Sequence, residues 1–581
     1  MTRTLILDIE TTALQNSQTS SIERIWMIGT MDLETKTKKS FLTPSFSDAT
    51  EIQEYINGYS TVVGHNIIGF DSPVMNDLLG ITLPNVVDTL VLSRLYNPQM
   101  EGGHSLRAWG ERLGFRKGDH DDWSTLSDEM IEYCERDLDV TAKLYTELTE
   151  KLEEFQGESI ELEHEVQRII TEQEKTGWKL DVERAFDIQA KLKQRSMEVE
   201  REVHKRFTPL PVFDKEITPK YNKDGSLSVV GLKFLGDRYT DVAGPFSRVS
   251  FPEFNLGSRQ QIARHLQFFG WKPKLFTEKG QAIVDEGVLS RVDIPEAKLI
   301  AEYLLIQKRM AQVQSWIEAV EEDGRVHGRV NPIGAVTGRM THSSPNMAQV
   351  PASYSPYGTE CRECWTVPKG YRLVGIDAAG LELRMLAHYM NDKEYTNEVT
   401  NGDVHTANQK AAGLATRDLA KTFIYAFLYG AGDAKIGTVV GGSKRDGAKL
   451  KEKFLSNTPS LRDLRERVSR SARRGHLKGL DGRKLVLRSE HAALNTLLQS
   501  AGAIIMKKSL TILDEYATIH NIEYKFVGNI HDEFQVEVKE DQAEKLGWLA
   551  VECIKAAGDR MSLKCPLDGE YKVGQSWAET H

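Results

Sequence analysis

The sequence predicts an α/β protein of several domains, and three observations predict it. Its 581 residues exceed what a single hydrophobic core organises. Strand-like apolar runs carrying carboxylates at their ends recur at 4–10, 373–377 and 526–538. Between them lie long stretches with apolar residues three to four apart, the spacing of amphipathic helices. A hydrophobic content of 40% with 27% charged residues suits folded globular domains. No apolar run reaches the roughly 18 residues of a membrane span. The first residues run straight into a strand pattern without signal-peptide architecture. Five cysteines, an odd number, point to a reducing compartment. Cys361 and Cys364 form one pair with no second pair at zinc spacing, so they read as free thiols.

The net charge of −10 argues against a nucleic-acid partner until its distribution is read. Residues 1–150 hold 12 Lys+Arg against 24 Asp+Glu, whereas residues 401–500 hold 19 against 9. One segment is therefore net −12 and the other net +10. Segregated charge of this kind marks separate surfaces for separate tasks.

Taken in order, the first strand, 4–10, sets Asp8 and Glu10 two apart and so on one face. A second apolar strand at 62–66 leads to Phe70 and Asp71 at a helix start. The helical pattern 131–138 places Tyr133 and Asp137 on one face at i,i+4. Four carboxylates and a tyrosine gathered by two strands and two helices make a two-metal phosphodiester hydrolase. From about residue 153 the pattern is helical and charged through 161–170 to Gly177 and Trp178, then again over 185–207 and 299–309. Residues 207–255 carry five prolines and no period, and read as an inserted loop or small subdomain.

The run 373–377 is a strand ending in Asp377, and 526–538 reads as a hairpin with Asp532 near its tip. Two such carboxylates, remote in sequence, can meet on one sheet and hold two divalent cations roughly 4 Å apart. One cation would activate a 3′-hydroxyl and the other would neutralise a triphosphate. Between them, a helix over 417–430 spaces Arg417, Lys421, Tyr425 and Tyr429 four apart, each about 40° round from the last. Two cations followed by two rings on one face suit a nucleoside triphosphate.

These blocks together resemble the family A DNA polymerases, the group containing bacterial DNA polymerase I, and most of all the short phage replicases of the T-seven type. Motif A of that family is matched at 377–384, motif B at 417–430 and motif C at 531–533. Further matches lie at 337–339, 345–349 and 491–495 with Gln499. The N-terminal set resembles the 3′→5′ proofreading exonucleases of the DEDD class that have tyrosine in the third motif.

The resemblance implies an RNase H-like exonuclease domain joined to a right hand of thumb, palm and fingers. The expected boundaries are 1–152 for the exonuclease, 153–330 for the thumb with its inserted loop 207–255, 331–390 and 496–581 for the palm, and 391–495 for the fingers. It implies that Asp8, Glu10, Asp71 and Asp137 bind metal and that Tyr133 orients the attacking water. In the palm, Asp377, the Ala378 carbonyl and Asp532 hold the catalytic ions, with Glu533 secondary; alanine stands at 379, where the family commonly has serine. Arg417 and Lys421 grip the triphosphate, Lys421 also protonates pyrophosphate, and His405 lies near the β-phosphate. Glu382 with Tyr425 walls off a ribose 2′-hydroxyl, and tyrosine at 425 implies tolerance of dideoxynucleotides. Tyr429 stacks near the templating base, Arg339 and Gln499 read the minor groove, and His531 packs at the primer terminus.

The implied substrates are primed template DNA and dNTPs, and the ions are Mg2+, with Mn2+ able to substitute. A replicative helicase-primase and a single-strand-binding protein are the expected partners. Thioredoxin, which clamps the T-seven-type thumb, is not expected here, because the corresponding segment is short and holds eight Lys+Arg against five Asp+Glu over 205–250. Nothing precedes Asp8 that could house a 5′-nuclease domain, so none is expected. The expected setting is the cytoplasm of a bacterial host.

Overall fold

The computed structural model describes residues 3–12, 21–155, 157–229, 244–487 and 489–581. The chain divides into two compact units, one of Met1–Asp181 with Ala319–His581 and one of Val182–Glu318.

The first unit contains two sheets that matter for function. Near the N-terminus, five strands pair in the order Lys38–Leu42, Ile25–Asp32, Thr4–Thr11, Thr61–Gly64, Val86–Asp88. The central Thr4–Thr11 strand runs antiparallel to Ile25–Asp32 and parallel to Thr61–Gly64. Leu5, Ile6 and Leu7 are buried, so this strand is covered on both faces. The long helix Asp128–Lys151, begun by Ser127 accepting from the Met130 amide, lies across it. Gly29 on the neighbouring strand permits that approach, since a Cβ there would sit 2.6 Å from the Cys134 sulfur.

The second sheet is antiparallel, in the order Tyr524–Ile530, Glu533–Lys539, Tyr371–Ala378, Gly569–Gly574. Helices Ala493–Ile519 and Ala543–Arg560 belong to the same apolar core, which runs from Leu162 to Leu567. Helices Lys393–Thr400, Val404–Ala412, Arg417–Leu428, Asp433–Val439, Lys444–Asn457 and Pro459–Ala472 form the intervening cluster. Helix Gly157–Thr176 is tied to helix Ala493–Ile519 and to residues 481–483 through a buried ionic group. Glu163 meets Lys507 at 2.6 Å and Arg483 at 2.6 Å, and Arg483 meets Asp481 at 2.6 Å.

The second unit carries the long helices Val182–Arg206 and Pro295–Ala319, linked by Arg195 with Glu302 at 2.7 Å. Residues 207–255, read from the sequence as an inserted loop or small subdomain, contain regular structure where the structure describes them. Strands Val212–Ile217 and Phe246–Ser250 pair as an antiparallel ribbon. Neither face of that ribbon is buried, so no alternation is imprinted on its sequence. Residues 230–243 lie outside the described residues. Among the described residues, no helix is long and apolar enough to cross a membrane.

Candidate active sites

Two acidic sites emerge. In the first, Asp8 and Glu10 extend from the central N-terminal strand. Asp71 opens helix Asp71–Leu79, and its Oδ1 accepts from the Ile9 amide at 3.0 Å, tying that helix to the strand between the two acids. Tyr133 and Asp137 project from successive turns of Asp128–Lys151. Between them, the Cys134 thiol donates to Asp8 Oδ2 at 3.7 Å. Ligand atoms of Asp8, Glu10 and Cys134 lie within 4.8 Å of one another. Asp71 and Asp137 lie near enough to act on the charge of Asp8, and Tyr133 stands beside Glu10 and Asp137.

Electrostatics confirm the crowding. Burial, then the charges of Glu10, Asp71 and Asp137, holds Asp8 well above the usual carboxylate range. Glu10 is pushed up to about 8 by burial and Asp137, and Asp71 to about 7 by burial. Burial raises Asp137 as well. Glu10 Oε1 and Asp137 Oδ1 are buried and accept no hydrogen bond from the described residues. Bare oxygens in a mutually repelling acidic pocket fit divalent cations, whose charge offsets that repulsion.

Sequence reasoning missed one member of this site. Lys117 places its Nζ 2.5 Å from Asp137 Oδ2 and 4.7 Å from the centre of the Tyr133 ring. It comes from an irregular stretch with no periodic signal to flag it.

In the second site, the strand Tyr371–Ala378 pairs with Glu533–Lys539 so that Asp377 faces Glu533. The Ala378 amide donates to the Asp532 carbonyl at 3.2 Å, which draws the hairpin tip onto the end of that strand. His531 makes the turn with φ 57°, a left-handed conformation. Enclosure, then Glu533 and Asp532, pushes Asp377 up to about 6.

Glu533 is held from behind. Its Oε1 accepts from Trp577 Nε1 at 2.8 Å, its Oε2 pairs with His581 Nδ1 at 2.6 Å, and the Gln535 amide also bonds it. Trp577 packs in turn on Trp178, with ring centres 4.7 Å apart. Only the position of Glu533 was legible; its partners at 577 and 581 carry no local motif.

Arg339 lies between the two acids of the cleft, 3.6 Å from Glu382 and 3.8 Å from Asp532. Glu382, expected to act with Tyr425, is hydrogen-bonded by Tyr429 and also acts on the charge of Tyr425. The Tyr429 hydroxyl reaches both carboxylate oxygens at 3.0 Å. Tyr429 is also not inside the helix, which ends at Leu428 with Tyr429 as its cap. Its ring still stacks on Tyr425 at 6.4 Å, because the capping residue keeps near-helical angles.

Helix Arg417–Leu428 begins with Thr416 accepting from the Leu419 amide. Asp403 caps helix Val404–Ala412 and also binds Arg417 Nε at 2.7 Å, which sets His405 beside the cationic face. Burial, then Arg417 and Lys421, lowers the His405 pKa. Its Nδ1 is buried without a hydrogen-bond partner among the described residues. Gln499 is half-buried on Ala493–Ile519; among the described residues no hydrogen bond or ion pair joins it to the acidic cleft. Burial, then Arg339, lowers the His531 pKa.

Comparison with known proteins matches this two-site layout. The sequence model described as DNA polymerase family A covers residues 235–579, and that of a 3′-5′ exonuclease covers residues 4–153. The DNA-directed DNA polymerase of Escherichia phage T7 is 35% identical over 92% of this chain and 94% of its own length. That of Enterobacteria phage T3 matches at the same identity and coverage. Among solved structures, the POL domain of Pol1 from M. smegmatis, in complex with DNA primer-template and dNTP, superposes with a TM-score of 0.79. It covers 100% of this chain and 96% of that one at 18% identity, a likeness of fold. With these matches spanning both sites, the chain belongs to DNA polymerase family A and is a DNA-directed DNA polymerase, similar in type to those of phages T7 and T3, that carries a 3′–5′ exonuclease domain.

Proposed function

We propose that this enzyme is a replicative polymerase that extends a primer 3′-hydroxyl with dNTPs on template DNA and removes its own errors at the N-terminal site. One observation supports the reading above others. Asp377 and Asp532, 155 residues apart, meet at paired strand ends while Asp8, Glu10, Asp71 and Asp137 form a separate pocket. Both domains belong to metal-dependent families. Magnesium is the proposed ion at both sites, with manganese able to replace it, and when bound it supplies Lewis acidity toward phosphate and hydroxyl oxygens.

In synthesis, Asp377, the Ala378 carbonyl and Asp532 are the proposed ion ligands, and Glu533, anchored by Trp577 and His581, stiffens the hairpin. Arg417, Lys421 and His405 hold the triphosphate, with Lys421 giving a proton to departing pyrophosphate. Glu382 with Tyr425 excludes a 2′-hydroxyl, and Tyr429 closes on Glu382 until a template base takes its place. Arg339 exchanges its acidic partners for the minor groove, which Gln499 also reads, while His531 packs against the primer terminus. In degradation, Asp8, Glu10, Asp71 and Asp137 hold the ions and Tyr133 aligns water.

The proposed division is exonuclease 1–152, thumb 153–330, palm 331–390 with 496–581, and fingers 391–495. The proposed setting is the cytoplasm of a bacterial host, with a helicase-primase and a single-strand-binding protein as partners and no thioredoxin. Primer extension with wild type, Asp8→Ala and Asp377→Ala, each with and without dNTPs, tests the assignment. Asp377→Ala should lose synthesis by more than about 100-fold and keep degradation, and Asp8→Ala the reverse. Loss of both activities in either variant would defeat it.

A further inference from the structure

We infer that Lys117 is a further catalytic residue of the exonuclease centre, its ammonium gripping the phosphodiester that is cut. The inference rests on the exonuclease reading of that pocket. Among the described residues, Lys117 is the one cation in ion-pair contact with any of Asp8, Glu10, Asp71 and Asp137. Its side chain is only 17% exposed, unlike the solvated lysines of the surface.

The chain is routed to deliver it. Residues 113–127 form no helix or strand and are partly exposed, but two close contacts tie them to the helices on either side. Arg136 Nε donates to the Arg116 carbonyl at 2.8 Å, pinning the stretch to helix Asp128–Lys151. A Cβ at Gly110, in helix Leu106–Arg112, would lie 2.8 Å from the Phe115 carbonyl oxygen and 3.1 Å from the Lys117 nitrogen. Glycine at 110 thus admits the backbone on which Lys117 rides.

Charge balance says what the lysine is for. Four carboxylates and two divalent ions cancel. A scissile phosphodiester then adds one negative charge, and a second develops as water attacks. Among the described residues, Lys117 alone is in ion-pair contact with these acids, and Arg107 acts on Asp137 only at longer range. An ammonium has three donors. Asp137 takes one, and the Tyr133 ring lies against the cation, leaving a donor for a non-bridging phosphate oxygen. In the step, the water oxygen bonds to phosphorus and the bond from phosphorus to the 3′-oxygen breaks. The 3′-oxygen keeps the electron pair and takes up a proton, while the attacking water releases one to solvent. The products are a nucleoside 5′-monophosphate and a strand one residue shorter with a free 3′-hydroxyl.

The test compares wild type, Lys117→Met and Lys117→Arg. Degradation of a single-stranded oligonucleotide should slow about 100-fold in Lys117→Met and recover in large part in Lys117→Arg. Binding is read separately by fluorescence anisotropy, with calcium replacing magnesium so that nothing is cut. Two oligonucleotides are used, identical except that the 3′-terminal linkage is a phosphodiester in one and an uncharged methylphosphonate in the other. Wild type and Lys117→Arg should prefer the charged linkage about tenfold, and Lys117→Met should lose that preference. Primer extension by each variant confirms folding. An unchanged preference in Lys117→Met would overturn the proposal even if cleavage were lost, because Lys117 would then only position Tyr133 and Asp137. If wild type neither cuts nor distinguishes the two oligonucleotides, the exonuclease reading itself fails first.

Discussion

At the scale of single residues, the most demanding groups are the buried acids of the N-terminal pocket. Without metal, Glu10 is held at about 8 and Asp71 at about 7, whereas an unfolded chain titrates such groups near 4. The folded state therefore binds more protons between those limits, and stability falls as pH rises from about 4 to about 8, then levels. For Glu10 alone the slope is at most about 1.4 kcal/mol per pH unit. Bound cations keep the acids ionised and act more strongly as pH rises. Thermal melts in chelator should decline from pH 5 to pH 8, less steeply for Glu10→Gln, and magnesium should raise the melting temperature more at pH 8 than at pH 5. Parallel curves for wild type and Glu10→Gln would show that Glu10 is not part of a shared charge cluster. Asp8 with Glu10, and Tyr133 with Asp137, were legible because their pairings are local: two residues apart on a strand, four apart on a helix. Lys117 and His581 were not, since each reaches its carboxylate from an irregular segment or across 48 positions of chain.

At the scale of elements, the instructive case is helix Gly157–Thr176. Its apolar period announced a helix, and Leu162, Val166, Ile169 and Ile170 are indeed buried. Its most consequential side chain is nevertheless Glu163, fully buried between Lys507 and Arg483. In sequence it stands between Glu161 and Glu165 and looks like another solvated acid, because its partners lie more than 300 residues away. Removing it strands two buried cations. Glu163→Ala should cost about 3–5 kcal/mol in urea unfolding, and adding Lys507→Met should restore part of that. Strict additivity of the two losses would refute a shared network. The ribbon of the second unit escaped detection for the opposite reason: both of its faces meet solvent, so burial left no pattern to read.

At the scale of the whole chain, charge is partitioned: the N-terminal 150 residues are strongly acidic, and 401–500, which holds Arg417 and Lys421, is basic. An acidic exonuclease suits a few unpaired nucleotides with phosphates screened by metal, and a basic segment suits an incoming triphosphate. The short, mildly basic stretch 205–250 leads to a specific expectation. Primer-extension product lengths under single-hit conditions should be the same with and without added thioredoxin, and a large lengthening would contradict it. The palm sheet has one more consequence. Its strand Tyr371–Ala378 is flanked on both edges by segments made later, Glu533–Lys539 and Gly569–Gly574. As the nascent protein leaves the ribosome, that hydrophobic ribbon waits unpartnered for more than 150 further codons. The polymerase site therefore cannot assemble until both of those later strands have been made.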